Sequence, residues 1–216
     1  KRGKRLRVVF EMPLMPEGRT LPLPEPVDLV VQDEWYQHFL SCHDVAEYRL
    51  LTEFIWHMGC RVSEAQKMQW SRINLSSGRI HFVKTKTSRP RSLPISNAVE
   101  SVIMQSKQLR KAQSPFIQGY KNYLNYYTKC VINTCQYFGL GADIEKQWRI
   151  HTLRHTKLTR LANQGANAVQ IQYWAGHLNL TTSQGYIHGS GVDLECLINL
   201  EGSQAASNSA ILGHIH

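Results

Sequence analysis

Between Lys146 and Val192 the chain has no aspartate or glutamate. That stretch therefore offers no local carboxylate to offset its arginines and histidines. Other absences exclude whole classes. No apolar run approaches the ~20 residues of a membrane-spanning helix. The five cysteines (Cys42, Cys60, Cys130, Cys135, Cys196) are odd in number and include no CxxC pair. They read as reduced thiols in a cytosolic protein, neither a disulfide framework nor a zinc knuckle. No secretory signal and no internal repeat is visible. The first residue is Lys rather than Met, as in a fragment of a longer protein.

What is present begins with charge. The chain has 216 residues, 42% of them hydrophobic, enough for one good-sized core with a small appendage. Net charge is +9 and unevenly spread: residues 65–192 carry 17 Lys/Arg against three acids, whereas residues 1–64 hold eight basic and ten acidic residues. A regional basic excess suits a surface that tracks phosphates, because affinity there comes largely from counterion release. A merely soluble basic protein fits the composition equally well.

Taken in order, the chain opens on a basic arm, Lys1–Arg7, which is either a groove-following contact or a simple flank. Five of the eight prolines fall within residues 12–26, which excludes a regular helix and predicts an extended linker. Asp33 is placed to cap a helix starting at Glu34. A longer amphipathic helix is expected from Asp44 to His57, with Val45, Tyr48, Leu51, Ile55 and Met58 on one face and Gly59 as its terminator. A short helix follows from Arg61 to about Trp70. The period then changes to two at 79–83 and 91–95, giving short strands joined by a basic tip, Lys84–Arg89. Helices return at 97–111, 119–138 and 152–164, then through Trp174 with Asn167 as the cap and Gly176 as the break, and again from Thr181. An apolar last helix is expected at 193–200, ahead of a loose tail. The expected class is mainly α with a small antiparallel sheet. The expected division is an arm and linker at 1–30, a folded domain at 31–200 and a tail at 201–216.

The residues that carry chemistry are His-Thr-Leu-Arg-His at 151–155, Ala-Gly-His at 175–177, and Tyr186, nine positions after His177. Arg, His and a phenol gathered without carboxylates suit a phosphodiester. Upstream lie Gly59-Cys60-Arg61-Val62-Ser63-Glu64 and Lys86 on the hairpin tip, ahead of Arg91-Ser92-Leu93-Pro94. These five elements, in this order over roughly 33–188, resemble the catalytic domain of the tyrosine recombinases (the phage integrases). Only Ala175 departs from the pattern, at the apolar position before Gly-His.

The resemblance implies a DNA strand-exchange enzyme with a 3′-phosphotyrosine intermediate and the matching catalytic-domain fold. Arg61 and Arg154 would hold the non-bridging oxygens, a task for charge-assisted forks. Tyr186 would be the nucleophile, His151 the proton handler, His177 a hydrogen-bond donor to the phosphate, and Lys86 the acid for the leaving 5′-oxygen. Glu64 would orient Arg61, and His155 would lie beneath the site as a structural residue. Lys84, Arg89, Arg91 and Lys157 are candidate DNA contacts. No metal or cofactor is implied, since the arginine pair does the charge work. The implied partners are double-stranded DNA and further copies of the chain, a tetramer on paired sites, with no membrane; the implied location is the bacterial cytoplasm. An N-terminal clamp domain is also implied, and about 30 residues are too few for it.

Plainer readings stay open from sequence alone. Arg61–Glu64 is also an ordinary i,i+3 surface pair. His151 and His155 have zinc-helix spacing, without an acid at 152 or an obvious third ligand. Lys84 rivals Lys86, and Tyr173 rivals Tyr186. At the level of function the rivals are a type IB topoisomerase and a non-catalytic DNA-binding relative.

Overall fold

A computed structural model describes residues 29–85, 88–109 and 112–188. The arm and most of the linker, Lys86, the 193–200 helix with Cys196, and the tail lie outside the described residues. The elements run α1 (Asp33–Ser41), α2 (Ala46–Met58), α3 (Val62–Gln66), a 3-10 turn (Trp70–Arg72), β1 (Ile73–Asn74), β2 (Arg79–Phe82) and β3 (Arg91–Pro94). Helices α4 (Asn97–Leu109), α5 (Tyr120–Phe138), α6 (Ala142–Gln147), α7 (Ile150–Asn163), α8 (Ala168–Ala175) and α9 (Thr181–His188) follow. The class is as the pattern predicts, mainly helical with one small antiparallel sheet in the order β1-β2-β3.

Helix α2 is the centre of the packing. Leu50, Leu51, Phe54, Ile55, Trp56 and Met58 are all buried on it, and it packs against α1, α3, α4 and α7. Each such side chain contributes ~1.5–3 kcal/mol by leaving water, so the end of α2 is firmly held. That end is Gly59, in the left-handed conformation at φ 62°. Its carbonyl and the turn after it build the first wall of the site.

The aromatic run of α5 divides into core and surface. Tyr123 and Tyr127 are fully buried, whereas Tyr137 is exposed and stacks on His38. Tyr126 does something more specific: its hydroxyl accepts from the Asp44 backbone N–H at 2.6 Å, satisfying a free donor just ahead of α2.

The expectation for Asp33 is corrected. Asp33 is the first residue of α1 and Gln32 occupies the cap, with no side-chain capping bond. The Asp33 carboxylate instead accepts from Arg160 of α7 at 2.7 Å. A stronger, charged donor from another helix displaces the local backbone. Asn167 caps α8 as expected, accepting from the Gln170 N–H at 2.9 Å. Helix α6, a six-residue turn, has no counterpart in the sequence reading because six residues are too few to show a helical period.

Sheet register follows period two. Ile80 pairs with Leu93 and Phe82 with Arg91, and all four are buried. Beyond the main core, a smaller cluster of Leu158, Ala162, Ile171 and Ala175 seats α8 and α9 on α7, with Tyr186 and Ile187 packed against it.

Candidate active site

Three arginines converge on one carboxylate. Arg61 follows Gly59-Cys60 and caps the short helix α3; its backbone N–H donates to Glu64 Oε2 at 2.9 Å. Arg91 enters from β3 and grips Glu64 with both ends of its fork, at 2.9 and 3.0 Å. Arg154 from α7 brings Nη1 to 4.0 Å, and Arg61 Nη1 lies at 3.8 Å. Burial alone would raise the Glu64 pKa. The bonds and charge of Arg91, the Arg61 N–H and the Arg154 charge overcome it and bring the pKa down to about 2. Glu64 is therefore ionised and serves all three arginines, rather than orienting Arg61 alone.

Arg154 is itself caged. Nη1 donates to the Gly59 carbonyl and Nη2 to the Ala175 carbonyl, each at 2.9 Å, and Nη2 also reaches His177 Nε2 at 3.0 Å. Burial and the Arg61 charge lower its pKa to about 10, so it stays cationic at neutral pH. Arg61 is less enclosed, yet its Nη1 is a buried nitrogen that makes no hydrogen bond. A guanidinium donor left unsatisfied beside a second guanidinium fits an anionic ligand, since a buried donor without an acceptor is costly.

His177 follows Gly176, whose φ is 68°. A Cβ there would stand 2.7 Å from Arg91 Nη1, so the glycine is required by conformation and space together. The ring is buried, and its pKa falls to about 4, through burial first and then the charges of Arg154, Arg61 and Arg91. It is neutral, with Nε2 on Arg154 and Nδ1 2.9 Å from Ser183 Oγ. Both nitrogens are thus occupied, which differs from the expected direct donation to phosphate. Ser183 escaped the sequence reading; the only signal was its place three residues before Tyr186.

Tyr186, on α9, is half-buried. Its ring lies 6.2 Å from that of His177, nearly parallel, and 5.2 Å from that of His155. His155 thus packs under the tyrosine. His151, in the first turn of α7, stands at the protein surface. Partial desolvation and the Arg154 and Arg61 charges lower its pKa below the usual value, which leaves it neutral and able to accept a proton. Tyr173, the rival, sits on α8 with its hydroxyl on the Ser92 carbonyl of β3 at 3.3 Å, away from the two histidines. Among the described residues no group of three His, Cys, Asp or Glu side chains could hold a metal.

The candidate DNA contacts separate. Lys84 is exposed. Arg89 is exposed and ties its limb of the hairpin down, Nη2 donating to the Leu178 carbonyl at 2.9 Å and its backbone N–H to Gly176. Lys157 is half-buried, its ammonium 5.6 Å from the Trp174 ring. Arg91 is a correction. Its side chain is 1% exposed, pairs with Glu64, donates Nε to the Trp174 carbonyl at 2.7 Å and lies over Phe82. It faces the interior because it shares a strand face with Leu93, and no surface is left for a phosphate. Lys86 lies outside the described residues.

The sequence model of the phage integrase family matches residues 33–191, which span both arginines, His177 and Tyr186. The chain belongs to the phage integrase family. Among curated relatives of this chain, the tyrosine recombinase XerC of Pediococcus pentosaceus is 28% identical over 148 residues, covering 64% of the chain and 48% of that protein. The tyrosine recombinase XerD of Staphylococcus haemolyticus is 27% identical over 164 residues, 70% of the chain and 53% of that protein. The chain thus spans about half the length of these relatives. Two solved structures show the same fold. The Tn1549 transposon integrase in complex with circular intermediate DNA has a TM-score of 0.62 at 21% identity, over 76% of the chain and 63% of that one. The catalytic domain of bacteriophage HP1 integrase has a TM-score of 0.59 at 21% identity, over 79% of the chain and 93% of that domain. The chain's fold is therefore that of a tyrosine recombinase catalytic domain. Among the described residues no helix is long and apolar enough to cross a membrane.

Proposed function

We propose that this chain is the DNA-cleaving and rejoining domain of a site-specific recombinase that works through a 3′-phosphotyrosine. The observation that carries the reading is the convergence of Arg61, Arg154 and neutral His177 beside the Tyr186 ring, with a buried Arg61 nitrogen that makes no hydrogen bond.

A phosphodiester bound beside these residues gives Arg61 Nη1 its missing acceptor. The two guanidiniums neutralise the charge that builds on the non-bridging oxygens, in a setting where burial has already removed competing water. Tyr186 Oη attacks phosphorus, its proton passing to His151, and the bond to the 5′-oxygen breaks. Lys86 protonates that oxygen. In the reverse sense a 5′-hydroxyl attacks the phosphotyrosine and releases the phenol, so the bond energy is conserved and no nucleotide cofactor is consumed. His177 acts first by fixing Arg154; contact with the phosphate requires it to exchange one of its two present bonds. Lys84, Arg89 and Lys157 are candidates for backbone contacts.

The substrate is double-stranded DNA, acted on by a tetramer on paired sites in the bacterial cytoplasm. The folded unit is 31–200, with arm and tail outside it. The family match favours this reading over a type IB topoisomerase. The test is a nicked suicide substrate carrying a candidate recombination site. The wild-type chain should form a covalent complex, and Tyr186→Phe should bind the same DNA and form none. An adduct surviving in Tyr186→Phe and mapping to Tyr173 would overturn the assignment.

A further inference from the structure

We propose that Ser183 is a positioning residue: its hydroxyl accepts the Nδ1 proton of His177 and keeps Nε2 bare toward Arg154, so that seating of the tyrosine helix completes the arginine cage. The consequence for cleavage rests on the recombinase reading; the protonation pattern of His177 does not.

The pattern follows from donor chemistry. A guanidinium has only donors, so the 3.0 Å contact between Arg154 Nη2 and His177 Nε2 requires Nε2 to accept. A neutral imidazole then carries its proton on Nδ1, where Ser183 Oγ is 2.9 Å away. Burial and three arginine charges keep the ring neutral. Ser183 is fully buried, so no water competes for that proton. Without the hydroxyl, a buried Nδ1–H would be left without an acceptor. The preference for the Nδ1–H form would then rest on Arg154 alone, and the other tautomer, whose Nε2–H opposes the Arg154 donor, would gain population.

The bond also crosses between two pieces of chain. His177 belongs to the turn after α8, and that turn holds Arg154 through the Ala175 carbonyl. Ser183 belongs to α9, three residues before Tyr186, on the same side of the helix. When α9 is seated, His177 is held in the form that orients Arg154, and Tyr186 lies over the same ring. The nucleophile and the charge-stabilising arginine are thereby set by one event within one chain.

The experiment uses the full 216-residue chain, labelled with ¹⁵N at histidine, with the His177 signals assigned from a His177→Gln variant. Long-range ¹H–¹⁵N spectra at neutral pH should show Nδ1 protonated and Nε2 bare in the wild type and in Ser183→Thr, which keeps the hydroxyl. Ser183→Ala should lose that pattern. On the suicide substrate its cleavage rate should fall on the order of tenfold, the worth of one hydrogen bond, with DNA affinity unchanged and Ser183→Thr close to wild type. A wild-type ring protonated on Nε2, or an unaltered pattern in Ser183→Ala, overturns the proposal. If the wild-type chain makes no covalent complex with any DNA offered, the recombinase reading fails, and the wild-type and Ser183→Ala spectra still decide the role of Ser183.

Discussion

Replacing Glu64 with glutamine changes one oxygen and should cost a large part of the domain's stability. In the wild type a single ionised carboxylate, 4% exposed, holds both ends of the Arg91 fork at 2.9 and 3.0 Å and accepts from the Arg61 N–H. Glutamine keeps one acceptor. Its amide NH2 faces a guanidinium that also only donates, and three arginines lose their common counter-charge. Removing one partner of a buried ion pair costs about 3–5 kcal/mol. The acid side points the same way. A fall of the Glu64 pKa from its ordinary 4.5 to about 2 is worth about 3 kcal/mol at ~1.36 kcal/mol per pH unit. That stabilisation is complete above pH 4.5 and is lost as pH falls toward 2, because the folded state then must take up a proton it holds weakly. For a domain of this size, about 3–5 kcal/mol corresponds to a loss of about 6–20 °C in Tm. Thermal or urea unfolding of Glu64→Gln, Arg91→Met and the double variant measures it. The double variant should lose clearly less than the two single losses together, since the second removal no longer strands a charge. Additive losses, or a Glu64→Gln variant within ~1 kcal/mol of wild type, would refute the hub.

Three further outcomes follow from the site. If Lys86 is the acid, Lys86→Ala should keep most DNA binding and lose cleavage on ordinary DNA. A 5′-bridging sulfur, whose leaving group needs no proton, should restore Lys86→Ala and not Arg154→Ala; rescue of Lys84→Ala instead would move the role to Lys84. DNA affinity should fall linearly on a log–log plot against salt with a slope near −0.9 per phosphate neutralised, and salt-insensitive binding would contradict the basic surface. Folding stability should decline as pH drops from 6.5 toward 4. His177 and His43 are both held neutral, each with its pKa lowered to about 4, so the unfolded chain binds protons in that window and the folded one does not. Stability flat across that range would show that neither ring is held neutral.

Sequence alone determined the parts of this protein that depend on neighbours along the chain. The breaks at Gly59 and Gly176, the Asn167 cap, the strand pair and the spacing of Arg61, Arg154, His177 and Tyr186 are all local. Glycine conformation, capping and periodicity act within a few residues, and the spacing carries the family's mark. What only the tertiary structure decided are choices among competing long-range partners. Glu64 was legible as a companion of Arg61, three residues away. The guanidinium that grips it belongs to Arg91, twenty-seven residues on, because the buried face of β3 delivers that group where no water competes. The alternation that buries Leu93 already placed Arg91 on the same face; the basic charge alone suggested the surface. His177 chose Arg154 and Ser183 for the same reason, whereas Asp33, whose side chain is exposed, took Arg160 over its own helix because that donor is charged. A polar side chain near several partners takes the one that burial makes strongest, and burial is set by how distant elements pack.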